Sequence, residues 1–287
     1  MDEHARTEQA ALITIISAFR RQSKLFLVIF ALVVVCAILY AFLSRPVYRA
    51  ELVMAPVSTE SSSGILSSIG SQFGQLASLA GFQVGQDSEL QTNLALLTSK
   101  KFTEKFIADN NVVPVLYRDD WDASTNTWQS GKEVSTWEVI DRFSSKICSI
   151  RFDPSSKIVR VRMDWYDREL AADWANKIGE QLNREIRNRV IREAGDSIDF
   201  LRAELDKTSI VGVEQSIYRL IEAQVAKIMM ANVRKDYAFQ IIDPAIAPDV
   251  DAQVRPNRPL VLVAGILLGF ILGGFAVLIK ELCRHVA

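Results

Sequence analysis

The stretch PLVLVAGILLGFILGGFAVLI, Pro259 to Ile279, is uncharged from end to end and is bracketed by Arg258 and Lys280. At 1.5 Å of rise per residue, a helix of this length spans roughly 30 Å, the thickness of a bilayer's hydrocarbon core. Backbone amides find no water there, so they must be satisfied within the segment, and a helix is the expected form. Gly265, Gly269 and Gly273 recur every four residues, with Gly274 following. In phase, they give the helix one smooth face on which a second helix backbone can sit closely.

The expected partner lies near the other end of the chain. Leu25 to Leu43 is a second uncharged run, between Lys24 and Arg45. Ala37 and Ala41 are small and four apart, suited to meet the glycine strip. A cleaved signal peptide fits poorly. The run is long for a signal core, its polar leader is long, and Tyr40-Ala41-Phe42-Leu43-Ser44 is a poor cleavage site. The chain therefore divides into a leader 1–24, a first span 25–44, a middle domain 45–258, a second span 259–279 and a tail 280–287.

Composition narrows the function. Net charge is −1, so nothing points to nucleic acid. The middle domain is long enough to bury its own core. It holds one cysteine, Cys148, and neither histidine, since these are His4 and His285. An intrachain disulfide and a Ser-His or Cys-His catalytic pair are thereby excluded from it. No pair of cysteines has metal-ligand spacing, and no cofactor is implied. Arg6, Arg20, Arg21 and Lys24 in the leader, with Lys280 and Arg284 in the tail, favour both termini in the cytoplasm and the middle domain outside.

In order along the chain, Ala10 to Phe19 has helical apolar spacing, which suits a short interfacial helix. Tyr48 to Met54 alternates as a strand, stopped by Pro56. Ser58 to Gln86 is rich in Ser and Gly and reads as weak amphipathic turns, either a surface loop or a segment facing a partner. Asp87 to Asp109 reads as one helix, with Leu90, Leu94, Leu97, Phe102 and Phe106 on one side. Trp121 and Trp128 follow in a polar loop beside Asp119, Asp120 and Asp122. Such tryptophans more often pin a loop to a core than stack on a sugar. Ser135-x-x-Glu138 is a capping box that opens a short helix. Ile147–Phe152 and Lys157–Met163 alternate about an Asp-Pro-Ser-Ser turn, which makes a β-hairpin.

Asp167 to about Lys207 has no proline and one glycine. As a helix it would reach roughly 60 Å, too long to bury against so small a base. Trp174, Ile178, Leu182, Ile186, Val190, Ala194 and Ile198 fall four apart, so their stripe drifts by roughly 40° per step. Different faces must then be covered by different neighbours. Ile178, Leu182, Ile186 and Val190 are the candidate contacts to other copies of the chain. Glu180–Arg184 and Glu185–Arg189 have the favourable i, i+4 order. Arg184, Arg187, Arg189 and Arg192 are candidates for an anionic glycan or a lipid phosphate, with a solvated, salt-bridged face as the plainer reading. Thr208 to Gly212 breaks the helix, and residues 213–236 return as a second one. Phe239 to Ile242 is a strand, and a proline-rich stretch leads back to the second span.

The C-terminal residues carry a resemblance. Tyr218-Arg219-Leu-Ile-Glu222-Ala-Gln224, Met229-Met230-Ala231-Asn232, Asp236-Tyr237-Ala238-Phe239-Gln240-Ile241-Ile242-Asp243-Pro244-Ala245 and Pro256-Asn257-Arg258-Pro259, followed by the glycine-rich span, resemble the signature of the Wzz-type polysaccharide co-polymerases. Leu94 to Phe102 and Tyr48 to Pro56 are similar to that family's first block. The resemblance implies an α+β fold, in which two transmembrane helices flank a periplasmic domain with an α/β base and a long protruding helical hairpin. It implies a homo-oligomer in the bacterial inner membrane. It also implies a non-enzymatic role, setting how far a polymerase extends a lipid-linked glycan such as O-antigen. No G-x-x-x-x-G-K-[ST] occurs, so the kinase domain fused to some relatives is missing. The alternatives are an export adaptor or an activator of a separate tyrosine kinase. A hydrolase using Asp119, Asp120 and Asp122 is disfavoured, because no basic partner is fixed near them.

Overall fold

The computed structural model describes residues 22–57, 86–122, 125, 127–129, 134–208 and 210–286. The helix expected over 10–19, and all but the last residue of the Ser- and Gly-rich stretch 58–86, lie outside them. In chain order the first elements are α1 (Ser23–Leu43), β1 (Val47–Pro56), α2 (Gln86–Leu97), α3 (Lys100–Asp109) and α4 (Val112–Leu116). The small strands β2 (Trp121–Asp122) and β3 (Thr127–Trp128) follow, then α5 (Thr136–Arg142), which runs into a π-turn over Phe143–Ile147. The chain continues through β4 (Cys148–Asp153), β5 (Ile158–Trp165), α6 (Arg168–Leu205), α7 (Val211–Val233), β6 (Phe239–Asp243), β7 (Gln253–Arg255) and α8 (Arg258–Val286). Two compact units result, one of residues 49–248 and one of residues 1–48 with 249–287.

The larger unit is built on a sheet in the order β4-β5-β1-β6. Alternation decides its faces. Ala50, Leu52 and Met54 of β1 are buried, as are Val159, Val161, Met163 and Trp165 of β5 and Phe239 of β6. The residues between them are charged or half-exposed. β4 and β5 form the expected antiparallel hairpin, with Cys148 opposite Met163 and Asp153 opposite Ile158. Asp153 closes its turn by accepting hydrogen bonds from the Ser155 N–H (3.0 Å) and from the Ser155 and Ser156 hydroxyls (2.6 and 2.8 Å). These bonds favour the charged carboxylate and pull its pKa down to about 2.

α6 lies on the apolar face of the sheet. Asp167 caps it by accepting from the Glu169 and Leu170 N–H groups at 2.9 and 3.0 Å. Trp174, Ile178, Leu182 and Ile186 are buried in one core with Leu52, Met54, Phe102, Phe106 and Phe143. Each such side chain contributes about 1.5–3 kcal/mol by burial. At Gly179 the helix comes so near β1 that an added Cβ would lie 2.8 Å from Leu52 Cδ2 and 3.1 Å from Met54 Sδ.

The helix expected from Asp87 to Asp109 is two helices. Ser99 takes an extended conformation, and its Oγ accepts from the Phe102 N–H at 3.2 Å, which starts α3 afresh. The capping box at Ser135 forms, with Oγ accepting from the Glu138 N–H at 3.2 Å. The loop tryptophans meet edge to face at 5.0 Å, and Trp128 also meets Tyr117 at 5.4 Å. Trp128 packs on the core, so pinning is what these rings do.

In the other unit, α1 and α8 pack along each other, and β7 pairs with the first residues of β1, Val47 and Tyr48. Both helices are long and apolar enough to cross a membrane.

Candidate functional site

The first candidate surface is the helix pair. Gly265, Gly269 and Gly273 of α8 are buried on one face, with Val277 continuing it. A Cβ added at Gly265 would stand 2.5 Å from Ala37 Cβ. At Gly269 it would meet the Phe30 ring at 3.1 Å and the Phe30 carbonyl oxygen at 3.4 Å. At Gly273 it would meet the Phe26 ring at 2.7 Å and that residue's carbonyl oxygen at 3.4 Å. One small residue therefore meets the strip at Ala37, and two aromatic rings fill the rest of it. Phe26 and Phe30 stack at 6.0 Å, and Phe26 turns its edge to Phe270 at 5.6 Å. Ala41 is buried and Gly274 is half-buried. The reading of glycines alone could not find the phenylalanines, because aromatic residues carry no small-x-x-x-small signature.

The second is the helical hairpin of α6 and α7. Here the expected contacts to other copies need correction. Ile178, Leu182 and Ile186 are at most 2% exposed within the single chain, and Val190 packs partly on the same core. The sheet and α3 already cover them. Beyond that core, Ala194 and Ile198 of α6 and Ile217 and Ala231 of α7 are the buried apolar residues of the hairpin. The uncovered apolar residues sit on α7. Val211, Tyr218, Val225 and Met229 are 67, 58, 42 and 62% exposed. Spaced by seven or four, they fall within about 40° of one another on the helix. Phe200 of α6 and Ile210 of the turn are also exposed.

The arginines of α6 do not form one patch. Arg184 and Arg192 are exposed and Arg187 is half-buried. Arg189 donates from Nη2 to Asn93 Oδ1 at 2.7 Å and lies 3.9 Å from Glu193. Glu185 pairs with Lys105 of α3, so the expected Glu185–Arg189 pair is replaced by contacts from other parts of the chain. Asp119 and Asp120 are exposed in the turn before β2. Among the described residues, no group of three or more His, Cys, Asp or Glu is placed to hold a metal ion.

Two asparagines were missed by sequence reasoning. Asn183 of α6 is buried; its Oδ1 accepts from the Ala238 and Phe239 N–H groups at 3.0 and 2.9 Å, and its Nδ2 donates to the Phe239 carbonyl at 2.7 Å. Asn176 accepts from the Ala245 N–H at 2.8 Å and donates to its carbonyl at 2.9 Å. Seven apart on one helix face, they hold the chain on either side of β6. A polar residue within an apolar stripe was the available signal.

Against known proteins, residues 8–110 match the family model of Wzz, the chain length determinant protein. Residues 203–282 match the model of the G-rich domain on putative tyrosine kinase. A solved structure described as a full-length bacterial polysaccharide co-polymerase is 11% identical, covering 94% of this chain and 97% of its own, with a TM-score of 0.45. A fragment of WzzB, the polysaccharide co-polymerase from Salmonella Typhimurium, is 12% identical over 71% of this chain and 97% of its own, with a TM-score of 0.29. No curated protein matches the chain significantly. In chain order, two helices long and apolar enough to cross a membrane stand before and after an α+β domain that carries a helical hairpin. Over residues 8–110 the chain is thus similar to the Wzz chain length determinants.

Proposed function

We propose that the protein sets the preferred length of a lipid-linked bacterial surface polysaccharide, O-antigen or a related lipopolysaccharide glycan. It does so without chemistry of its own, as an oligomeric scaffold that holds the polymerase and the growing chain. Both termini lie in the cytoplasm and the middle domain in the periplasm. The observation that carries the scaffold is the apolar stripe on α7, which the described residues leave uncovered along a hairpin arm about 35 Å long. Copies standing side by side would cover it. The oligomer contacts therefore move from the buried face of α6 to Val211, Tyr218, Val225 and Met229 of α7.

The match to the tyrosine-kinase-associated domain favours a second reading, in which the protein activates a separate kinase during polysaccharide export. Deletion of the gene, followed by gel display of the surface glycan, separates the two. Loss of the preferred length with total polymer retained is the expected result. Loss of all surface polymer would give the export reading instead, and an unchanged ladder would sink both.

A further inference from the structure

The charged face of the sheet sets two arginines directly opposite each other. Arg49 and Asp164 neutralise each other in a bidentate pair, 2.7 Å at both bonds. Glu51 accepts from Arg160 Nη1 at 3.0 Å and from Arg162 Nε at 2.7 Å. Arg151, exposed on the edge strand β4, stands directly opposite Arg160 in the ladder. Asp153, on the same side of β4, commits its carboxylate to Ser155 and Ser156. Arg160 thus shares the Glu51 carboxylate with Arg162, while Arg151 stands across the ladder from it. Like charges directly opposite on one sheet face are destabilising, so the Arg151–Arg160 pair costs stability until an anion lies between them.

We propose that this face binds an acidic sugar of the glycan, its carboxylate held between Arg151 and Arg160. A guanidinium presents a planar fork of donors that matches a carboxylate. Ser149, exposed and opposite Arg162, and the Glu51 carboxylate stand beside the pair, suited to sugar hydroxyls. A membrane surface would call for an apolar belt among the basic groups, whereas Ser149, Arg162 and Glu51 stand around this pair, with the half-buried Ile158 beside Arg160. The glycan as ligand rests on the chain-length reading above; the anion site does not.

The test uses the full chain in detergent, with oligogalacturonate as the acidic probe and maltooligosaccharide as the neutral one. Oligogalacturonate is expected to bind at least tenfold more tightly than the neutral sugar, and added salt should weaken it. Arg151→Ala should weaken the acidic probe at least tenfold, and Arg151→Lys should recover only part of the loss because the fork is gone. The thermal midpoint of Arg151→Ala should hold or rise as the repulsion is relieved. Equal binding of both sugars, an affinity indifferent to Arg151→Ala, or a lowered midpoint would each overturn the site. Displacement of the acid by glycerol 3-phosphate at equal concentration would give the site to a phospholipid headgroup and overturn the sugar assignment. Failure of the gene deletion to change glycan length would count against the chain-length reading and leave the binding result standing.

Discussion

Asn183 does with one amide what a strand neighbour does with its backbone. It satisfies two N–H groups and one carbonyl that would otherwise be buried unpaired beside Phe239. Each buried group left without a partner costs about 1–3 kcal/mol. Asn183→Leu, nearly the same size, should therefore destabilise the protein by about 3 kcal/mol or more, read as a lowered midpoint in denaturant. Glu51 gives the pH dependence. Burial pushes its carboxyl up, but hydrogen bonds from Arg162 and Arg160 outweigh this and hold it below its ordinary value of 4.5. A depressed carboxyl adds stability that is fully present above 4.5 and is lost as pH falls through the folded value. Glu51→Gln should accordingly lower the thermal midpoint at neutral pH and flatten its fall below pH 4.5. An unchanged acid profile would remove the ion-pair account. Cys148 is reserved for packing, since burial pushes its thiol up to about 12 and leaves little thiolate at neutral pH.

At the scale of elements, close approach is the recurring theme. Gly179 lets α6 settle on β1, and Gly265 lets α8 settle on α1. The two differ in what they touch. Leu52 is a side chain, though wholly buried, while Ala37 Cβ is fixed to its helix backbone and cannot rotate away. Gly265→Leu should therefore separate the membrane helices, and a disulfide introduced between them elsewhere should form less readily in that variant. Gly195 and Gly212, with open space around them, are the controls that should tolerate alanine. The break between α2 and α3 belongs here too. The apolar stripe runs on through Leu97, Phe102 and Phe106, so periodicity alone reads one helix. The Ser99 cap interrupts the backbone ladder while leaving the stripe in phase with the core.

For the whole molecule, the question is what covers the hairpin. α6 extends about 57 Å, and its sheet-facing half fills the core while the rest leans on α7. Tyr218→Glu with Met229→Glu places two charges on the exposed stripe without touching the core. Solubilised wild-type chains should sediment as an assembly, and this double variant should fall to smaller species while its helical circular dichroism is retained. An assembly unaffected by both substitutions would rule out α7 as the contact.

The two spans, the β4–β5 hairpin, the long helix and its return were legible because each is written in local features: hydropathy, alternation, a turn, a cap. Those depend on residues a few positions apart and survive without knowledge of the rest. Which face of α6 is core was not legible. Its stripe is equally apolar from Trp174 to Ile198, and only the arrival of β1, β5 and α3 from distant parts of the chain decides that Ile178, Leu182 and Ile186 are spent internally. The same holds for Asn183, the Phe26 and Phe30 partners of the glycine strip, and the opposed arginines on the sheet. By itself the sequence determined where helices and strands form and that two of them suit lipid. Tertiary structure alone decided which surfaces remain uncovered, because burial is a property of neighbours brought together across the chain rather than of any residue's own pattern.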